Sequence, residues 1–222
     1  MKIKFNYYWF LVLIPVIFVS WFFIKKKENA PIRYLAYFGP KNALKVSDTT
    51  YHYIPDFEFT NQYNQKVNQE TVKNKIYVTE YFFTTCQSIC PIMNTNLEKV
   101  YNEFKNDSDF LILSHTVDPE NDSVLVLKEF AIKHGVTDSK WLFLTGNKSD
   151  LYRLARKGYL LNAEEGKGDE TDFIHTQNFA LIDKEGHIRG FYDGTDSLEI
   201  VRLIQEIKLL KKEYDFKKLN NY

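Results

Sequence analysis

The sequence is poor in cysteine and has no surplus of charge of either sign. Its 222 residues include two cysteines, and 29 basic side chains balance 29 acidic ones. Two cysteines are too few for a disulfide framework, and balanced charge gives no reason to expect nucleic acid as a partner. Internal repeats and low-complexity tracts are also absent from the sequence. The length allows one globular domain plus an appendage. Aromatic residues make up 16% of the chain, which is enough for a sizeable core.

Long apolar runs are scarce as well, and the clear one lies at the N-terminus. Residues 7–24 contain no charged side chain, which is close to the ~20 residues that span a bilayer. Aromatic residues at 7–9 and 21–23 are typical of the belts at the two ends of a membrane helix. No small-residue cleavage pattern follows, so we predict an uncleaved anchor rather than a removed signal peptide. Lysines flank both ends, so charge alone does not set the orientation.

The two cysteines, Cys86 and Cys90, stand four positions apart, and Pro91 follows them. The apolar run 76–83 before them predicts a buried strand, and the amphipathic pattern 91–104 after them predicts a helix. Two thiols at a strand-to-helix turn lie close together, and we expect the helix N-terminus to lower the pKa of both. Such a pair either cycles between dithiol and disulfide or binds a soft metal as two thiolates.

Strand and helix patterns alternate along the rest of the chain. Residues 51–64 alternate between apolar and polar positions and end in a turn, which predicts a hairpin. The resulting order, β-α-β-α-β-α-β-β-α, predicts an α/β protein with a thioredoxin-like fold, an N-terminal β-hairpin extension and one preceding transmembrane helix. Beyond the strand and helix around the dithiol, we predict strands at 110–117, 141–145, 178–183 and 187–192 and helices at 123–134, 150–157 and 197–210.

These patterns divide the chain into five segments. The globular domain is flanked by polar or irregular stretches that carry no sustained periodicity. We predict a cytoplasmic tip at 1–6, a transmembrane anchor at 7–24, a linker at 25–45, the thioredoxin-like domain at 46–213 and a polar C-terminal tail at 214–222.

A third metal donor is suggested by His175, which comes just before the predicted core strand at 178–183. In a thioredoxin-like fold the loop before that strand lies against the dithiol, and many members carry a cis-proline there. This chain has His-Thr instead, with no proline nearby. Two cysteines cannot fill a tetrahedral zinc site, whereas two thiolates and one imidazole suffice for Cu(I). The sequence leaves open whether His115, Asp118 or Asp172 also touches the site.

Three motifs together resemble the Sco (SenC) copper proteins over roughly residues 46–210. They are Phe83-Thr-Thr-Cys-x-x-x-Cys-Pro91, Val117-Asp-Pro-Glu120 with Asp122, and the late histidine before Phe-x-Leu-Ile-Asp. The resemblance implies a thioredoxin-like fold and one copper bound through Cys86, Cys90 and His175. It implies help in assembling the dinuclear copper A centre of cytochrome c oxidase subunit II. It also implies an anchored domain on the outer, periplasmic face of the bacterial cytoplasmic (inner) membrane, or on the matching mitochondrial face. Because the sequence lacks a transit-peptide composition, we favour the bacterial setting and expect a single-pass protein that is a monomer.

Two positions depart from the family pattern. Where the family usually has Pro-Asp after the first cysteine, this chain has Gln87-Ser88. Where the family often has Asp directly before the histidine, this chain has Ile174, with Asp172 three residues before the histidine. Fewer acidic neighbours should ease thiolate formation, and neither change removes an expected ligand.

Three functions remain as hypotheses. The first is a membrane-tethered copper chaperone, which is not an enzyme. The second is a thiol–disulfide oxidoreductase that reduces client cysteines before metallation, with Cys86 as the attacking thiol. The third is a copper or redox sensor. Three residues between the cysteines, where redox pairs usually have two, and the missing cis-proline favour the first.

Overall fold

The structure is a computed structural model that describes residues 14–16, 18, 19, 21, 33–43, 49–161 and 176–219. Two compact units divide the chain between Tyr34 and Leu35. In the first unit the described residues from 14 to 21 are helical, and their large apolar side chains are exposed. No helix among the described residues is long and apolar enough to cross a membrane. Most of the predicted span 7–24 lies outside those residues, so the span stays a prediction.

The second unit contains a mixed seven-stranded sheet in the order β4-β3-β7-β6-β5-β8-β9. The three central strands β5, β6 and β7 run parallel, and the outer strands pair antiparallel. These strands are β3 Glu58–Asn61, β4 Lys66–Asn68, β5 Ile76–Phe82, β6 Phe110–Thr116, β7 Trp141–Thr145, β8 Asn178–Ile182 and β9 Ile188–Asp193. A separate two-stranded ribbon comprises β1 Lys41–Ala43 and β2 Thr49–Tyr51. The helices are α1 Gln69–Val72, α2 Cys90–Phe104, α3 Val124–Lys133, α4 Lys148–Arg153 and α5 Ser197–Leu219, and a π-helical turn spans Leu154–Gly158.

Two apolar clusters cover the two faces of this sheet. Helices α2, α3 and α5 pack on one face, and α4 with the π-helical turn packs on the other. Every residue of β5 and β6 is buried, which explains why their sequences read as continuous rather than alternating apolar runs. The apolar stripe of α2 is buried as its periodicity predicts, with Met93 in the core. The predicted α/β fold is thus confirmed.

Several local features differ from the sequence-based expectations. Helix α5 continues to Leu219 rather than ending near 210, because Glu213 is buried and paired. The predicted helix 150–157 is α-helical only to Arg153 and then becomes the π-helical turn. The compact unit begins at Leu35, so part of the predicted linker belongs to it, and helix α1 was not predicted.

A buried ion cluster of Asp183, Arg189 and Glu213 holds the start of this unit. The Arg189 guanidinium donates to Asp183 at 3.1 Å and to Glu213 at 2.9 Å, and all three side chains are fully buried. Arg189 also donates to the carbonyl of Leu35 at 2.7 Å, and the Leu35 amide donates to Glu213 at 2.5 Å. The ring of Tyr37 stacks on the guanidinium, with 4.3 Å between the ring centre and the guanidinium carbon. The cluster therefore fixes residues 35–37 beside the first residues of β9.

Candidate metal centre

The dithiol follows the C-terminal end of β5, one of the three central strands. The loop after Phe82 carries Cys86, and α2 begins at Cys90 with Pro91 in its first turn, where a missing N–H costs nothing. Both cysteines are free thiols, and both line one cavity of about 100 Å³. The strand-to-helix placement predicted for the dithiol is therefore confirmed.

The two thiols differ sharply in environment. Burial would raise the pKa of the half-buried Cys86, but hydrogen bonds from Cys90 and Ser88 outweigh it and lower that pKa below its usual value. The Ser88 hydroxyl lies 3.6 Å from Cys86 Sγ. Burial, together with the hydrogen bond to Cys86, raises the pKa of Cys90 to about 12. The expectation that the helix N-terminus lowers both pKa values was wrong for Cys90, because desolvation outweighs the helix dipole there.

This asymmetry predicts that Cys86 is the reactive thiol. In the reduced, metal-free protein near neutral pH, iodoacetamide is expected to alkylate Cys86 at least about tenfold faster than Cys90, because the thiolate is the nucleophile. Peptide mass spectrometry over a time course measures both rates in one sample. Equal rates, or faster modification of Cys90, would contradict the asymmetry.

The cavity walls are mostly apolar and include one residue from the loop before β8. Phe83, Ile89 and Val117 line it together with the two cysteines and Thr176. Thr176 is buried, and its hydroxyl accepts a hydrogen bond from the Asn178 amide at 3.1 Å, which fixes this loop to the first residue of β8. The loop before β8 therefore reaches the dithiol.

The donor set visible in the described residues is incomplete. His175 and Asp172 lie outside those residues, so their roles remain predictions. Within the described part of the chain, no three His, Cys, Asp or Glu side chains come together as a metal site. The two thiols fit a soft metal such as Cu(I), but they require a third donor from elsewhere to complete the expected set.

The other histidines described by the structure have structural environments. His115 is fully buried on the opposite face of the sheet, where it stacks on Tyr81 at 5.0 Å, and neither ring nitrogen has a hydrogen-bond partner. Burial lowers the pKa of His115 to about 3, so it is neutral. His134 Nδ1 lies 2.7 Å from a Glu98 carboxylate oxygen, and His187 Nδ1 lies 2.8 Å from the carbonyl oxygen of His52, so both are half-buried and hydrogen-bonded. Asp118 binds Asn121 and does not line the cavity.

Sequence reasoning missed a buried acid, Glu80, in the middle of β5. The Ser114 hydroxyl donates to one of its oxygens at 2.7 Å, and the Trp141 indole donates to Ser114 at 2.8 Å. The second carboxyl oxygen is buried without a partner. Burial raises the pKa of Glu80 to about 7, against the lowering effect of the Ser114 hydrogen bond. A lone acid inside an otherwise apolar strand was the available signal.

Fold and site together define a thioredoxin-like domain with its dithiol where the first central strand meets its helix. The chain belongs to the SCO1/SenC family, whose family model matches residues 45–211. Among curated proteins, the SCO1 protein homolog of Bacillus subtilis is 28% identical over 166 residues, which cover 74% of this chain and 86% of the relative.

Solved structures agree with this membership. A SCO1/SenC family lipoprotein from Bacillus anthracis has a TM-score of 0.64 and 29% identity, and the match covers 72% of this chain and 95% of that one. BsSco, a member of the Sco family of cytochrome c oxidase assembly proteins with a disulfide switch, has a TM-score of 0.61 and 30% identity over 71% and 92% of the two chains. Copper-bound Sco proteins from Arabidopsis thaliana, Bradyrhizobium japonicum and yeast share the fold at 19–22% identity, with TM-scores of 0.54–0.56.

Proposed function

We propose that this protein is a copper chaperone that carries one copper ion on Cys86, Cys90 and His175. Its client is the dinuclear copper A site of cytochrome c oxidase subunit II. Family membership supports copper as the cargo and oxidase assembly as the setting. The observation that carries the ligand set is the shared cavity: Thr176, next in sequence to His175, lines it together with both thiols.

The asymmetry of the thiols suits transfer by ligand exchange. Cys86 is the more accessible and more acidic of the two, so it is the ligand that an incoming client thiolate replaces first. Cys90, buried at the helix start, keeps hold of the metal until the exchange is complete. Two thiolates and one imidazole leave Cu(I) open to a fourth ligand, which is what such an exchange needs.

An N-terminal anchor at 7–24 would hold the domain of residues 46–213 at the outer face of the cytoplasmic membrane, with 25–45 as linker and 214–222 as tail. The exposed apolar side chains of Ile14, Phe18 and Trp21 are consistent with a lipid-facing helix. Tethering raises the effective concentration of the chaperone near a membrane-embedded client. A monomer suffices for this role, because all three expected ligands come from one chain.

The test is an anaerobic Cu(I) titration of the reduced full chain in a mild detergent, against a competing chelator. We expect one tightly bound copper per chain and an affinity at least about tenfold lower in His175→Ala, because one of three ligands is lost. His134→Ala is the matched control, since His134 pairs with Glu98 and does not line the cavity. Absence of competitive binding by the wild type would contradict copper carriage. Binding indifferent to His175 would contradict the ligand set.

One observation favours a second candidate function, thiol–disulfide exchange. A half-buried thiol of lowered pKa beside a buried thiol of raised pKa is the arrangement of an attacking and a resolving cysteine. That chemistry does not require His175. If His175→Ala left reductase activity on a disulfide substrate unchanged while the protein bound no copper, the oxidoreductase would replace the chaperone as the proposed function.

A further inference from the structure

A buried carboxylate joins the loop that carries Cys86 to the end of the neighbouring strand. Asp122, which is 1% exposed, accepts a hydrogen bond from the Thr84 hydroxyl at 2.5 Å and another from the Thr84 amide at 3.3 Å. It also accepts from the hydroxyl of Thr116, the last residue of β6. Among the described residues, no lysine, arginine or histidine pairs with it. We call this group of Asp122, Thr84 and Thr116 the Asp122 latch.

The latch is itself held in place from both sides. The Asp122 amide donates to the Asp118 carbonyl at 2.9 Å, and the Asp118 amide donates to the Thr116 hydroxyl oxygen at 2.9 Å. Ser123, the next residue, caps the N-terminus of α3. Thr84, in contrast, has its anchor in Asp122 and stands two residues before Cys86. The rigid side of the latch is therefore the turn after β6, and the side it restrains is the dithiol loop.

Three donors converge on this carboxylate, and only a carboxylate accepts all of them. An ionised Asp has acceptor positions on both oxygens, whereas an Asn side chain has one acceptor oxygen and an NH₂ group that donates. Asparagine at 122 would leave either the Thr84 hydroxyl or the Thr116 hydroxyl without its acceptor. Because Thr116 and Asp122 are buried, bulk water does not replace a lost acceptor at the Thr116 hydroxyl.

We propose that Asp122 is a positioning residue for the dithiol, holding the Cys86 loop through Thr84 so that the two sulfurs stay in reach of each other. Restraint at Thr84 limits the conformations open to Cys86, which raises the effective concentration of one sulfur at the other. For copper, the same restraint keeps two thiolates facing one cavity. The copper part of this inference rests on the proposed function, while the sulfur–sulfur part does not.

Disulfide formation with glutathione measures the restraint without any metal. The thiols of Cys86 and Cys90 form one S–S bond while the S–S bond of oxidised glutathione breaks. The two electrons and two protons from the protein thiols reduce the oxidised glutathione to two molecules of reduced glutathione. We expect Thr84→Val and Asp122→Asn to lower the equilibrium constant for forming the Cys86–Cys90 disulfide roughly tenfold, because each removes a hydrogen bond of the Asp122 latch.

Two further variants separate positioning from a general loss of stability. Thr84→Ser keeps the hydroxyl and is expected to stay within about twofold of the wild type. Thr85→Val makes the same change as Thr84→Val one residue nearer to Cys86, at an exposed side chain outside the latch, and is also expected to stay within about twofold. Thermal unfolding followed by circular dichroism shows which variants are folded. If Asp122→Asn does not fold, Thr84→Val decides the question.

A folded Thr84→Val with the wild-type glutathione equilibrium would overturn the proposal, as would an equal shift in Thr85→Val. A shift in Thr84→Val that is rescued in Thr84→Ser supports it. Cu(I) titration of the same variants should show roughly tenfold weaker binding in Thr84→Val. If the wild type binds no copper but Thr84→Val still shifts the glutathione equilibrium, the latch stands and the chaperone function fails.

Discussion

Replacing Arg189 with methionine is expected to lower the free energy of unfolding by about 3–5 kcal/mol at neutral pH, because it leaves two buried carboxylates without their cation. Asp183 and Glu213 are both fully buried, and Arg189 is the cation that pairs with each of them. The same change removes the hydrogen bond from the guanidinium to the Leu35 carbonyl. Since a domain of this kind has a total stability of only about 5–15 kcal/mol, the variant should be close to unfolding.

The pH dependence of this loss identifies its cause. Burial already raises the pKa of Asp183, and removing the guanidinium raises it further, since the nearby positive charge favours the ionised form. A carboxyl whose folded-state pKa is raised destabilises the fold above that pKa and stops doing so as it takes up a proton. The difference in free energy of unfolding between Arg189→Met and the wild type should therefore become smaller as the pH falls from 7 towards about 5.

Urea unfolding of Arg189→Met and of Arg153→Met provides the measurement and its control. Arg153 pairs with Asp150 on the surface, where an ion pair contributes roughly 0–1 kcal/mol. Adding Glu213→Gln to Arg189→Met should recover part of the loss, because it removes one of the stranded charges. A loss in Arg189→Met no larger than that in Arg153→Met would show that the buried ion cluster does not stabilise the fold.

Glu80→Gln is expected to make the protein more stable above neutral pH and to change it little at pH 5. Burial raises the pKa of Glu80 from its ordinary value of 4.5 to about 7, so the folded state holds this proton more tightly than the unfolded state. The resulting stability is present below pH 4.5 and is lost as the pH rises to 7. That shift corresponds to about 3 kcal/mol. Glutamine keeps the acceptor for Ser114 and cannot ionise, so it avoids the loss.

The measured quantity is the difference in unfolding free energy between Glu80→Gln and wild type at about pH 5 and pH 8, in the reduced, metal-free protein. Taking the difference cancels the contribution that groups common to both proteins, such as the buried His115, make to the pH dependence of stability. Glu70→Gln, at an exposed position, is the control and should show no such difference between the two pH values. A Glu80→Gln curve parallel to wild type across this range would mean that Glu80 ionises as freely as an exposed carboxyl.

The central part of this fold was predictable from sequence because its signals are local and redundant. The strands β5 and β6 are uninterrupted apolar runs, α2 has a clear apolar stripe, and the dithiol marks the turn between β5 and α2. The ribbon of β1 and β2 has no apolar run or stripe in its sequence. Its strands are three residues long and are defined only by pairing with each other.

The features that the sequence did not predict, or predicted wrongly, depend on contacts between residues that are distant in sequence. Glu213 looks like a surface residue near the end of a helix until Arg189, 24 residues earlier, is placed beside it. The raised pKa of Cys90 likewise depends on how deeply α2 buries its first residue, which periodicity does not report. Asp122 was visible as part of a motif, but its contact with Thr84 joins residues 38 positions apart. The role of His175 remains a prediction.

The position of the buried ion cluster determines how far the dithiol lies from Leu35, where the second unit begins. Arg189 lies at the start of β9, which runs in the same direction as β5, so Leu35 is held at the level where β5 begins. The dithiol follows the other end of β5, and seven residues at ~3.3 Å each separate the two levels by about 20 Å. The chain therefore enters this unit at the level of one end of β5, and the thiols follow the other end. A partner that docks on the dithiol would therefore contact the end of this unit that lies opposite to Leu35.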